Sequence, residues 1–130
     1  MSTSAHHLSE RVVLVVDDDD VVCHMTARIL RSAGIRALEV HDGRQALGLL
    51  SEMGPSVVGL VVSDVSMPGI TGEKLATIMA DRWPSVPVLL ISGRGHPGSN
   101  YQGYFLAKPF QPETLLALVS QAAPSFSTSG

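Results

Sequence analysis

Apolar positions along this chain alternate between short continuous runs and helical spacing. Residues 12–16 (VVLVV) form a continuous aliphatic run, the pattern of a strand buried on both faces. Four carboxylates, Asp17, Asp18, Asp19 and Asp20, follow directly. Val22, Met25, Ile29 and Leu30 then recur at helical spacing until Gly34 supplies a stop. Residues 36–40 (RALEV) predict a second strand. Asp42 caps a helix with Ala46, Leu47, Leu49, Leu50 and Met53 inward, ended by Gly54 and Pro55. Residues 57–63 (VVGLVVS) predict a third strand, 64–72 (DVSMPGITG) a turn-rich loop, and 73–83 a helix with Leu75, Ile78 and Met79 inward. Further strands are expected at 88–91 and 104–107. A last helix starts at Pro112, with Leu115, Leu116, Leu118 and Val119 on its inner face. Residues 93–103 (GRGHPGSNYQG) hold four glycines and a proline, so any helix there is short. Polar residues 1–10 and the Ser-rich 124–130 read as tails around a domain of residues 11–123.

Strands alternating with helices predict a (βα)5 α/β domain, a doubly wound five-stranded parallel sheet with helices on both faces. Composition narrows the picture. The 130 residues suit a single core, and with aromatics at only 5% that core is aliphatic. A net charge of −3 argues against nucleic acid or an anionic membrane as partner. No apolar run approaches the roughly 18 residues of a membrane span, and the polar start is not a secretory signal. One cysteine, Cys23, excludes an internal disulfide and a cysteine zinc cluster, so a reducing, cytoplasmic setting is expected.

In parallel α/β sheets, ligands bind outside the carboxyl ends of the strands. Asp17 and Asp18 follow the first strand, Asp64 the third, Ser92 the fourth and Lys108 the fifth. A strand order of 2-1-3-4-5 gathers all five around one cleft. Three crowded carboxylates repel unless a cation sits among them. Oxygen ligands without His or Cys suit Mg2+ or Mn2+ rather than zinc. A hydroxyl and an ammonium opposite are what the remaining oxygens of a phosphoryl group need, and one carboxylate can serve as the nucleophile. The residues alone thus point to a Mg2+-dependent phosphoryl acceptor.

Four segments then resemble, in order, the response-regulator receiver domain with its CheY-like, flavodoxin-like fold: VVLVVDDDD, VVSDVSMPGITG, VLLISG and FLAKPF. The resemblance spans about residues 11–122 and is closest in character to single-domain receivers or those of hybrid sensor histidine kinases. It implies that Asp64 is phosphorylated. Asp18 and Asp64 would give the metal carboxylate oxygens, Ser66 its backbone carbonyl, and Asp17 would hold metal-bound water. Ser92 and Lys108 would contact the phosphoryl group, and the Lys108-Pro109 bond would be cis. Ser92 and Phe105 would be the switch residues, although Phe105 lacks a hydroxyl. The implied donor is a histidine kinase or histidine phosphotransfer protein, docking near Val21, Val22, Met25 and Pro109. The protein would be a monomer or weak dimer, its only catalysis being its own phosphorylation and dephosphorylation.

One departure stands out. Only residues 93–107 separate Ser92 from Lys108, so the fourth helix of the fold is shortened or missing, and a conventional switch through it is in question. A receiver-like interaction module that does not switch is the alternative. A flavodoxin is disfavoured because residues 17–20 would repel a flavin phosphate. A haloacid-dehalogenase-type phosphatase is disfavoured because Ser66 stands where a second Asp is needed. Asp19 and Asp20 read as charges favoured at a helix start. Cys23 reads as a small buried hydrophobe, and the five histidines show no metal spacing.

Overall fold

The computed structural model describes residues 11–126 except 97, 99, 100 and 102. The elements run β1 (Val12–Val16), α1 (Asp20–Ser32), β2 (Arg36–Val40), α2 (Gly43–Met53), β3 (Val58–Asp64), α3 (Gly72–Arg82), β4 (Val88–Ser92), β5 (Tyr104–Ala107) and α4 (Pro112–Ala122). The five strands pair in parallel in the order β2-β1-β3-β4-β5, as the sequence predicts. Every residue of the central strands β1 and β3 is buried, which explains their unbroken apolar runs.

Strand alternation divides the core into two layers. Val13, Val15, Val62, Leu89, Ile91 and Leu106 pack against Cys23, Ala27 and Leu30 of α1 and Leu115 and Val119 of α4. Leu14, Val16 and Val61 pack against Ala46 and Leu50 of α2 and Leu75 and Met79 of α3. The alternation breaks once. Val12 pairs with Val58 but Val13 with Leu60, so the register shifts at Gly59. This lets Val58 face the α2–α3 layer and Leu60 the α1–α4 layer.

Helix starts follow side-chain chemistry. Asp19 caps α1 by accepting the Val21 and Val22 N–H groups, Asp42 caps α2 through the Gln45 N–H, and Thr71 caps α3 through the Lys74 N–H. α4 has no side-chain cap and starts on Pro112, which has no N–H to satisfy.

β3 and β4 each run one residue past their expected ends at 63 and 91, because Asp64 stays in register with Ile91 and Ser92 with Ala107. Among the described residues of 93–103 there is no helix, so the expected loss of the fourth helix holds there. The expected tail at 124–130 is corrected in part. Pro124–Phe126 is a short 3-10 turn, and Phe126 is buried in the α1–α4 layer. The reason is Gly59: a Cβ there would lie 2.7 Å from the Phe126 ring, so only glycine leaves room for it. Residues 1–10 and 127–130 lie outside the described residues.

Candidate functional site

Parallel pairing brings the carboxyl ends of β1, β3, β4 and β5 to one end of the sheet. Asp17 leaves β1 with its N–H bonded to the Val40 carbonyl at 2.9 Å, and its Oδ1 accepts the Asp19 N–H at 2.9 Å. Asp64 is the last residue of β3. Carboxylate oxygens of Asp17, Asp18 and Asp64 all lie within 4.8 Å of one another. Asp17 and Asp64 are buried and Asp18 is exposed.

Lys108 reaches this cluster from the end of β5. Its N–H donates to the Ser92 carbonyl at 2.9 Å, which fixes the backbone against β4. Its Nζ donates to Asp64 Oδ1 at 3.0 Å and lies 3.8 Å from Asp17 Oδ2. The Lys108-Pro109 peptide is cis. Burial pushes the Asp17 carboxyl above the usual carboxylate range, and the charges of Asp64 and Asp18 add to the effect. The Asp19 N–H and Lys108 oppose it. Three carboxylates face one ammonium, which leaves an excess of negative charge lined only by oxygen donors. That donor set fits a hard divalent cation such as Mg2+.

Ser92 is buried beside the cluster, and its Oγ accepts the Arg94 N–H at 3.0 Å. The hydroxyl proton has no acceptor among the described residues. Ser66 is exposed, two residues past Asp64, on the wall of a cleft of about 500 Å³. Ser92, Arg94 and His96 line the same cleft. Phe105 is half-buried, with its ring 5.1 Å from that of His96. Val21 and Met25 are exposed on α1 at 68% and 59%, large for apolar side chains; Val22 is half-buried and Pro109 exposed. Asp19 caps α1 and Asp20 lies in its first turn, so neither joins the cluster. Cys23 is buried, its Sγ donating to the Val15 carbonyl at 3.3 Å, and burial pushes the thiol up to about 11.

Three residues near the site escape the sequence reading. A Cβ at Gly72 would collide with the Asp64 carbonyl oxygen, so glycine lets α3 begin against the end of β3. The turn-rich 64–72 segment hinted at this without assigning it. The His96 ring lies near those of Phe105 and Tyr101, in a segment whose glycines and proline signal only that any helix there is short.

The family model for the response regulator receiver domain matches residues 13–120. The chain belongs to this family. Receiver domains are modules of two-component systems. This one is 33% identical over 128 residues to the C4-dicarboxylate transport transcriptional regulatory protein DctD of Pseudomonas aeruginosa, which covers 94% of this chain and 27% of that protein. It is 30% identical over 117 residues to the DNA-binding transcriptional regulator NtrC of Salmonella typhimurium, covering 85% and 24% respectively. The receiver thus spans about a quarter of the length of these two curated relatives. Among solved structures, the receiver domain of the hybrid histidine kinase CckA matches at 37% identity and a TM-score of 0.72, over 85% of this chain and 96% of that one. The Vibrio cholerae chemotaxis protein CheY4 matches at 28% identity and a TM-score of 0.77, over 86% and 98%. No helix among the described residues is long and apolar enough to cross a membrane.

Proposed function

We propose that this receiver accepts a phosphoryl group on Asp64 from a phosphohistidine of a histidine kinase or phosphotransfer protein. The observation that carries the reading is the Asp17–Asp18–Asp64 cluster with Lys108 Nζ at 3.0 Å from Asp64. An Asp64 carboxylate oxygen forms a bond to phosphorus as the P–N bond to the donor imidazole breaks, and the departing ring nitrogen keeps the electron pair. Lys108 faces the charge that gathers on the transferring oxygens, and the Ser92 hydroxyl supplies a hydrogen-bond donor on the β4 side. Asp17, Asp18, Asp64 and the Ser66 carbonyl would hold Mg2+ or Mn2+. The ion would neutralise the acidic cluster and the incoming phosphoryl oxygens.

Val21 and Met25, exposed beside the acidic end of α1, together with Pro109, are the docking surface for the donor on this reading. The working unit is residues 11–126, cytoplasmic, and monomeric or weakly dimeric. It catalyses its own phosphorylation and slow dephosphorylation and passes the signal on by protein contact.

The test is incubation with Mg2+ and acetyl phosphate followed by intact-mass measurement. A gain of one phosphoryl group is expected in the wild type and none in Asp64→Asn. A gain that persists in Asp64→Asn overturns the assignment of the acceptor. The lack of a helix among the described residues of 93–103 favours a second reading, a constitutive interaction module that does not switch. On that reading, beryllofluoride with Mg2+ would shift amide resonances only around the carboxylates.

A further inference from the structure

The histidines are scattered along the chain, but the fold brings two of them together with two carboxylates. α1 packs beside the edge strand β2, Ala27 and Leu30 sharing a core layer with Ala37. Asp20 and His24 are four residues apart on α1, so they share one helix face. Glu39 and His41 are two residues apart at the end of β2, so they project to the same side.

The two sets meet as crossed pairs. His24 Nδ1 of the helix lies 2.9 Å from Glu39 Oε2 of the strand. His41 Nδ1, just past the strand, lies 3.2 Å from Asp20 Oδ1 of the helix. The His41 N–H donates to Gln45 Oε1 at 3.0 Å, which ties its backbone to α2. Arg31 also donates to Glu39 Oε2, at 2.9 Å.

An ionised carboxylate only accepts hydrogen bonds, so each Nδ1 carries a proton. In the neutral ring this leaves Nε2 as a lone pair. A carboxylate holding the far nitrogen of an imidazole is the usual support of a metal-bound histidine, because it fixes the tautomer and makes the ligating nitrogen more basic. With both rings neutral, Asp20 and Glu39 against Arg31 leave one net negative charge beside the two lone pairs. The side chains of His24 and His41 are 57% and 46% exposed, so a cation reaches them from solvent.

We propose that His24 and His41 form a second metal site, which takes a Zn2+-like cation on the two Nε2 atoms while Asp20 and Glu39 orient the rings. Imidazole nitrogen suits zinc, whereas Mg2+ prefers the all-oxygen cluster around Asp64. The two pairs are about 6 Å apart along α1 and about 7 Å apart along β2. An ion bound at about 2 Å to each nitrogen spans about 4 Å. The half-exposed rings therefore share it by leaning together, and water fills the remaining positions. The ion clips α1 to the sheet edge beside Val21 and Met25. This site does not depend on the phosphoacceptor reading.

The test is a ZnCl2 titration of the full chain in constant excess MgCl2, read by the histidine ring signals in NMR. Site-specific signals are needed because His6, His7 and His96 also offer imidazoles. The His24 and His41 rings are expected to shift together with a single midpoint. In His41→Gln the His24 shift should disappear, and in His24→Gln the His41 shift. Asp20→Ala keeps both imidazoles and should move the midpoint about 10–100-fold higher in zinc. An unchanged amide spectrum elsewhere shows that each variant is folded. A His24 shift that survives His41→Gln overturns the shared site. So do rings that stay still while zinc moves only the Asp18 and Asp64 amides or the other histidines, and so does an unchanged midpoint in Asp20→Ala.

Discussion

Replacing Lys108 with Met keeps the side-chain length and removes the ammonium that contacts Asp64 and Asp17. The cost follows from the geometry. The 3.0 Å contact to Asp64 is a charge-assisted hydrogen bond, typically worth about 1.5–3 kcal/mol. The 3.8 Å approach to Asp17 adds attraction to a carboxylate that burial already disfavours in its charged form. Against this, freeing the lysine returns about 2 kcal/mol of rotamer entropy at most, and its side chain is 29% exposed, so solvent weakens both contacts. The net loss in metal-free protein is therefore at most about 1 kcal/mol. A domain of this size should then melt up to about 4 °C lower, at roughly 4 °C per kcal/mol.

A divalent ion changes the balance, because it supplies the charge that the ammonium supplied and is no longer repelled by it. Mg2+ should therefore raise the melting temperature of Lys108→Met more than that of the wild type. The pH dependence has a definite sign. The Asp17 carboxyl is raised in the fold, so its contribution to stability is full below the ordinary value near 3.8 and is lost as pH rises through the folded value. Without lysine or metal that loss is larger, so the variant's deficit grows toward neutral pH. Circular-dichroism melts in EDTA and in MgCl2, at acidic and neutral pH, read all of this. An equal deficit with and without Mg2+ would refute the picture of lysine and metal sharing one cluster.

Three further outcomes are expected. Gly72→Ala drives a Cβ against the Asp64 carbonyl; urea titration should show a loss of about 1–3 kcal/mol, and calorimetry weaker Mg2+ uptake. Unchanged uptake would separate the start of α3 from the acidic cluster. Phe126→Ala should cost about 3 kcal/mol by the same titration, whereas near-neutral behaviour would mean that the final turn does not pack on Gly59 in solution. Glu39 accepts hydrogen bonds from His24 and Arg31, which hold its carboxyl below the usual range. Its contribution is therefore present above about 4.5 and lost as pH falls through the folded value, so the stability gap between wild type and Glu39→Gln should close in acid. A gap that widens there contradicts the pairing.

Much of the fold was legible because its rules are local. The runs at residues 12–16 and 57–63 mark strands buried on both faces, and Asp42 marks a helix start. The cluster was legible through topology: once strands and helices alternate, Asp17, Asp64 and Lys108 fall at the same end of the sheet whatever their distance along the chain. What stayed hidden depends on contacts between distant residues. Phe126 sits in a Ser-rich stretch that reads as tail, and only the bare Gly59 backbone turns it into core. The shift from Val58 to Leu60 is invisible in a segment that is apolar throughout. His96 and Tyr101 read as ordinary loop residues until β4 and β5 lie side by side beneath them.

The turn at Phe126 has a practical consequence for handling the protein. Arg11 and Phe126, the two limits of the described chain, both approach Gly59. Asp64 lies five residues further along the same strand, about 16 Å away at the usual rise per residue. A fluorophore attached beside Arg11 would therefore sit at the pole opposite the carboxylates, clear of their chemistry.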